Sequence, residues 1–377
     1  MKAKESILII GASTRAAAFS ALRASFVPCC HDMFADIDLQ EQADARCVAD
    51  YPAGLLHAGR SRPPSAWLYT GALENHPRMV DRLAAVSPLL GNTGPVLRRV
   101  RHPRELSSAL RRAGLECPRF SSEPNGIPID GSWLVKPRRS AGGKDVAAWM
   151  GQPLAGHGQR DWYLQERIEG QAIAAVYLAD GHRGQFLGAT EQLIGRAWGA
   201  PGEFSYAGSV GPLPLTSAEQ TACERIGAAL AADFGLRGLF GVDAVRNAAG
   251  IWPVEVNPRY PASAEVLERV SGISLIGAHV AACRGAFSAE IPVRELPAAH
   301  RFAGKLIHYA LEDREATTPF VARLMSQRGG DRLMPLVADI PRPGTRLRAG
   351  WPICTLLADG ANREGVLNEL TRRGNDL

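Results

Sequence analysis

Asp243, Glu255 and Asn257 lie in two apolar runs, Leu239–Val245 and Ile251–Pro258, separated by a short polar stretch that ends in Gly250. If the runs pair antiparallel around a three-residue loop, Ala248-Ala249-Gly250, the glycine takes the left-handed position and Asn247 faces Ile251. Counting outward two at a time then brings Asp243 opposite Glu255. Pleat alternation puts Asn257 on that face and Val254 and Val256 on the other. Cross-strand carboxylates about 5 Å apart repel by about 3 kcal/mol at an effective dielectric near 20, so the pair calls for a cation. Three oxygen donors on one rigid face suit Mg²⁺, with Mn²⁺ as the alternative ion, because Mg²⁺ keeps waters and shares its remaining positions with phosphates. Taken alone, the pattern also describes a surface hairpin whose acids face water.

A second group is Lys136, delivered by the run Trp133–Pro137, followed by Gly142, Gly143 and Lys144. A glycine pair lets backbone N–H groups approach phosphate oxygens. Only five of the 43 Lys and Arg residues are lysine, so two in this window point to a need for a compact ammonium. A mobile surface loop is the competing reading, since this is no Walker A sequence. The third group is Asp161–Gly170 (DWYLQERIEG), a strand ending in a bend where backbone groups meet a flat heterocycle, or an ordinary strand-to-turn junction.

These groups need a scaffold. The run Ile7–Ile10, ending at Gly11, reads as a buried parallel strand feeding a helix over Ala16–Ala24, then a strand at Phe26–Cys30 leading to Asp32, Asp36 and Asp38. That is the rhythm of a doubly wound sheet. Residues 58–66 read as a loop, Trp67–Gly71 as a strand, Asn75–Val86 as a helix and Pro103–Ala113 as an amphipathic helix stopped by Gly114. Phe120–Gly131 reads as a connector into a second unit. Ser217 with Gln220 gives a capping box for a helix that Gly235 ends. Ala264–Gly285 is helical, and a small final unit starts near His300. The opening turn carries one glycine, so the GxGxxG dinucleotide fingerprint is absent and a nicotinamide oxidoreductase is disfavoured.

Composition excludes more. Apolar residues make up 46% and charged residues 21%, with 39 Gly and 26 Pro in 377 residues, which rules out collagen, a coiled coil and a wholly disordered chain. No run approaches the roughly 18 apolar residues of a membrane span, and the first apolar run is too short for a signal peptide. Seven scattered cysteines without a CxxC pair fit reduced thiols, so a cytoplasmic location is expected. The net charge is +5. The cluster Arg98–Arg104 lacks interleaved aromatics and reads as a solvated face or a contact to an anionic small substrate rather than a nucleic-acid surface.

In this order and spacing, the strand lysine, the glycine-rich flap, the QERIEG hinge and the GVDAV…VEVNPR hairpin resemble the ATP-grasp superfamily. The resemblance extends toward biotin carboxylase through Ala264–Leu275 and through the tail that includes Asp339–Gly344, Gly350–Leu356 and Arg363–Arg373. The stretches GASTRAAAFSALRA, DMFADIDL and TGALENHP look like predicted ATP-dependent carboligases that occur beside enzymes of methanopterin- and methanofuran-type one-carbon cofactors. The resemblance implies an α/β ATP-grasp fold: a Rossmann-like domain over 1–95, the ATP-grasp domain over 96–299 with its flap lobe near 120–166, and a small biotin-carboxylase-like domain over 300–377.

It also implies roles. Lys136 would meet the α/β-phosphates of ATP; Gly142, Gly143 and Lys144 would close over the β/γ-phosphates; Gln165, Glu166 and Ile168 would line the adenine. Asp243, Glu255 and Asn257 would hold Mg²⁺, Arg259 would steady the activated acyl group, and Lys305 joins Arg259 and Lys144 as a catalytic candidate. Ser13, Arg15, Asp32, Glu74, Asn75 and Ser263 are the substrate-pocket candidates. Two departures stand out: Ala172 replaces the ribose-binding glutamate, and Ser263 replaces the glutamate that carboxylases use toward bicarbonate. With no Met-Lys-Met biotin site, these favour an ATP-dependent carboxylate–amine ligase acting on small molecules through an acyl phosphate, in which a glutamate-bearing cofactor precursor would suit the arginine cluster. A carboxylase with a separate carrier and a non-catalytic ATP-binding protein are the alternatives. Neither nucleic acid nor membrane is expected as a partner, and a homodimer is expected on symmetry grounds.

Overall fold

The computed structural model of the chain describes residues 4–48, 50–55, 66–154, 162–287 and 302–377. The expected loop at 58–66, Ala66 apart, and the expected boundary at 299–300 lie outside the described residues.

β1 (Ser6–Gly11), α1 (Arg15–Arg23), β2 (Val27–Asp32), α2 (Ile37–Gln42), β3 (Asp44–Cys47) and β4 (Trp67–Tyr69) form a parallel sheet in the order β3-β2-β1-β4. The apolar run of β1 is buried throughout, as a strand covered on both faces requires. Gly11 is fixed by close approach: a Cβ there would sit 1.9 Å from the Thr70 hydroxyl. After a single turn at Leu73–Asn75 come α3 (Pro77–Ala84), α4 (Gly94–Val100) and α5 (Pro103–Arg112). The helix expected over 75–86 is shorter because Pro77 fits the first helical turn and starts it there.

A second sheet, β5 (Phe120–Ser121), β6 (Trp133–Pro137), β7 (Ala147–Ala148) and β8 (Trp162–Glu166), is antiparallel in the order β5-β8-β6-β7 and holds a small core of Trp133, Trp149, Trp162 and Leu164.

The third sheet has eight strands. β9 (Gln171–Asp180), β10 (Gly184–Ile194), β11 (Tyr206–Gly211), β12 (Arg237–Asn247), β13 (Gly250–Asn257) and β14 (Phe302–Tyr309) run in the order β13-β12-β9-β10-β11-β14, and Pro352–Gly360 and Val337–Ala338 complete the edge. The C-terminal strands thus continue the central sheet, since Gly208–Gly211 of β11 pair with Ala303–Leu306 of β14. Their apolar residues still pack as a separate cluster around Phe320, Leu324, Leu356 and Leu370.

α6 (Ser217–Phe234) covers one face of this sheet. Its capping box is Thr216 with Glu219, one residue earlier than expected, and Gly235 ends it in the left-handed conformation. The helix expected over 264–285 is two, α7 (Ala264–Ser271) and α8 (Leu275–Cys283), bent by 112° at left-handed Gly272. No single described helix is long and apolar enough to cross a membrane. The seven cysteines form no disulfide.

Candidate functional site

The β12–β13 hairpin places the acids, by a route that differs from the sequence expectation. The turn has two residues, Ala248 and Ala249, so Asn247 faces Gly250. Asn247 closes it by accepting from the Ala249 N–H (2.9 Å) and the Trp252 indole (3.2 Å). A bulge at Val254 then shifts the register by one, and Asp243 faces Glu255 as expected. The shorter turn and the extra residue cancel.

Around these acids lies a cavity of about 500 Å³ between the flap sheet and the central sheet. Lys136, Gly142, Gly143, Gln165, Glu166, Ile168, Asp243, Glu255, Asn257, Arg259 and Ser263 all line it. Leu134, Val146, Ala174 and Ile194 give it an apolar wall, the mix expected of a small-molecule site.

Lys136 is buried and donates to Gln165 Oε1 (3.0 Å). Burial alone would lower its pKa, but Tyr163, Glu255 and Asp243 raise it, so the ammonium stays charged. The Gln165 side chain is spent on Lys136 and the Val254 carbonyl. Glu166 turns its carboxylate to Arg119, which holds it below the usual carboxylate range.

Gly142 and Gly143 both have left-handed φ, and a Cβ on Gly143 would lie 1.8 Å from the Phe204 carbonyl. The Tyr206 N–H donates to the Gly142 carbonyl at 3.0 Å, so the flap already rests on the 203–206 loop. Lys144, expected over the phosphates, is exposed and outside the cavity lining. Gly142, Gly143 and Val146 on either side of it line the cavity, while Lys144 itself faces solvent.

At the acid end, Asp243 accepts from Gln192 (2.9 Å) and from the Asn257 amide (2.9 Å). Arg259 donates to Glu74 (3.0 Å) and to Asn257 Oδ1 (3.0 Å). Arg101 bridges Glu255 (3.3 Å) and Glu74 (3.6 Å). Burial first, and then the Glu255 charge, push the Asp243 carboxyl up to about 6. The described residues contain no cluster of three His, Cys, Asp or Glu side chains suited to a metal. Two repelling carboxylates plus an amide nonetheless fit Mg²⁺, which needs few protein oxygens when water and phosphate complete its shell. Asp243 and Glu255 would hold it directly; Asn257 would join once its amide turns its oxygen away from Arg259.

A proton competes with that ion for Asp243. Because the carboxyl sits above its unfolded value, the folded chain binds more protons than the unfolded one between about pH 4 and 6, and apo stability falls as pH rises through that window. Cation binding runs the other way. In calorimetric titrations, Mn²⁺ affinity is expected to rise about tenfold per pH unit from about pH 5 to 6 and to level off above about pH 7. Asp243→Asn flattens the profile. A wild-type affinity independent of pH would refute the assignment.

Several substrate candidates, and the catalytic candidate Lys305, have structural roles instead. Arg15 is buried and pairs with Glu265 and with Asp339 (2.9 Å), with Asp38 at 4.0 Å. Lys305 is buried against Glu265 (3.1 Å), and burial, which alone would raise that carboxyl, is outweighed by Arg15 and Lys305, which hold it well below its usual range. Asp32 accepts from Thr14 (N–H 2.6 Å, hydroxyl 2.8 Å) and from the Phe34 and Ala35 amides, which closes its own loop. Ser13 is exposed and offers its carbonyl to Thr70. None of these four lines the cavity. Glu74 lies beneath Arg259, Asn75 donates to the Ser140 carbonyl (3.2 Å), and Ser263 keeps a buried hydroxyl without a hydrogen-bond partner beside the cavity. Arg101 and Gln192 were not singled out from sequence. Arg101 is masked by the run of arginines around it, while Gln192 shares the inward face of β10 with Thr190 and Ile194, an alternation that would have found it.

The ATP-grasp domain family matches residues 103–263. Among solved structures, the L-amino acid ligase of Bacillus licheniformis superposes with a TM-score of 0.72 at 14% identity, covering 100% of this chain and 98% of that one. Pyruvate carboxylase of Rhizobium etli gives 0.72 at 14%, covering 98% of this chain, which spans only 37% of that enzyme. The N5-carboxyaminoimidazole ribonucleotide synthetase of Thermotoga maritima gives 0.67 at 13%, covering 98% of each chain. No curated protein sequence matches the chain. At these identities the likeness is one of fold, and the fold is the mixed α/β ATP-grasp fold that the motif order implied.

Proposed function

We propose, from the premise of an ATP-grasp domain over residues 103–263, that the chain is an ATP- and Mg²⁺-dependent carboxylate–amine ligase working through an acyl phosphate. The observation that carries this reading is the convergence of Lys136, Arg259 and the facing carboxylates Asp243 and Glu255 on one cavity.

A carboxylate oxygen of the acid substrate attacks the γ-phosphorus of ATP and ADP departs. The amine then attacks the acyl carbon, inorganic phosphate leaves, and the amine proton passes to solvent or phosphate. Lys136 places a buried ammonium beside the nucleotide phosphates. The flap glycines bring backbone N–H groups over them and exclude water. Arg259, held by Glu74, presents positive charge where the acyl oxygen becomes more negative. Asp243 and Glu255 would hold Mg²⁺, which would supply positive charge against the phosphate oxygens that repel the attacking carboxylate. Ser263, with its unpartnered hydroxyl, is a hydrogen-bond donor for the acid substrate. Glu169 and Glu203, acids of the lining, would serve ribose in lieu of Ala172.

The finer reading is addition of glutamate or an amine to a precursor of a methanopterin- or methanofuran-type one-carbon cofactor, in the cytoplasm. The L-amino acid ligase likeness supports capture by an amine, and Ser263 argues against bicarbonate activation.

The test is a phosphate-release screen of acid and amine pairs that includes glutamate and aromatic amines, with bicarbonate alone as a further arm. Release that requires both an acid and an amine is expected. Release with bicarbonate alone would favour a carboxylase, and ATP binding without release across the panel would defeat the ligase reading.

A further inference from the structure

A second cleft, of about 580 Å³, opens on the far side of the Glu74–Arg101 pair. α3 and α4 supply Arg78, Arg82 and Arg98, and the turn after β6 supplies Arg138 and Arg139. Of these, Arg98 reaches Asp81 at 3.4 Å, whereas Arg78, Arg82, Arg138 and Arg139 make no ion pair among the described residues. Glu74 is the one acid in the lining, and Arg259 and Arg101 already engage its carboxylate. A concave surface with this imbalance concentrates anions.

The cleft and the nucleotide cavity meet at Arg101. Its guanidinium lines the cleft, donates to Glu255 in the cavity (3.3 Å) and donates to the Ser140 carbonyl at the root of the flap (3.0 Å). Asn75 donates to the same carbonyl and keeps a buried Oδ1 without a partner. A molecule lying in the cleft therefore meets the same guanidinium that reaches Glu255. Guanidinium groups match carboxylate and phosphate oxygens two at a time. Trp, Tyr and Phe are missing from the lining, whose aromatic rings are those of His76 and His102, and the size of the cleft suits a small molecule rather than a nucleic-acid strand.

We infer that this arginine cleft binds the anionic tail of the ligase's second substrate, a small molecule bearing two or more carboxylates or phosphates, and aims its reactive end past Arg101 toward Asp243 and Glu255. The inference rests on the ligase reading and adds its substrate class.

The test is isothermal titration of the full chain at low salt, with and without a saturating non-hydrolysable ATP analogue and Mg²⁺. Citrate is the polycarboxylate probe and fructose 1,6-bisphosphate the phosphate probe. At least one is expected to bind, to weaken as salt rises, and to lose about tenfold or more in affinity in the Arg78→Ala/Arg82→Ala double variant, whose exposed positions leave the analogue's affinity unchanged. The preferred probe identifies the anion. Failure of both probes, or equal affinity in the double variant, overturns the cleft assignment even if the analogue binds. Failure of the analogue itself tells against the ligase reading and leaves the wild-type and double-variant comparison to decide the cleft.

Discussion

Glu255→Gln is expected to reduce ATP-dependent phosphate release by about 10³-fold or more while leaving the melting temperature close to wild type, measured by coupled phosphate assay and thermal denaturation. The substitution keeps shape and size but removes one of the two charges facing each other across β12 and β13. Folding should tolerate this, because the Glu255 charge, which adds to burial in pushing the Asp243 carboxyl up to about 6, is removed. The cation loses half its protein charge, and Arg101 loses its partner in the cavity. Asn257→Ala should act in the same direction, removing an amide that touches both Asp243 and Arg259. Full turnover in either variant would overturn the cation assignment.

Arg15→Ala is expected to have its large effect on stability rather than on chemistry. Removing one member of a buried ion-paired group costs about 3–5 kcal/mol, since the partners are left charged and dry. Here Glu265 keeps only Lys305, and Asp339 and Asp38 lose the guanidinium between them. Denaturant unfolding should show the loss, and the KM for acid and amine substrates should be unchanged in the folded enzyme at low temperature. If Arg15 instead touched substrate, KM would rise with stability intact.

These two residues show how differently the sequence reveals scaffold and site. The apolar runs of β1 and β12, the glycine after α6 and the hairpin motif each carry local signals, so the fold and the facing acids were legible. The facing of Asp243 and Glu255 was reached with the wrong turn length, because a bulge such as that at Val254 leaves no periodic mark. Arg15 and Lys305 looked like ligands because isolated basic residues near motifs carry no sign of their partners, which sit some 250 and 40 positions away on Glu265. The Arg101 bridge to Glu255 spans 154 positions. Burial against distant acids is a tertiary property. A lysine beside a glycine pair likewise reads the same whether the turn delivers it to the cavity or, as with Lys144, to solvent.

The sheet that continues from β11 into β14 makes the nucleotide cradle inseparable from the C-terminal part of the chain. Excising the stretch up to Gly285 as a freestanding module would strip β11 of its neighbour and lay bare a rim of unspent amide and carbonyl groups, an adhesive border on which copies of the fragment would zip together.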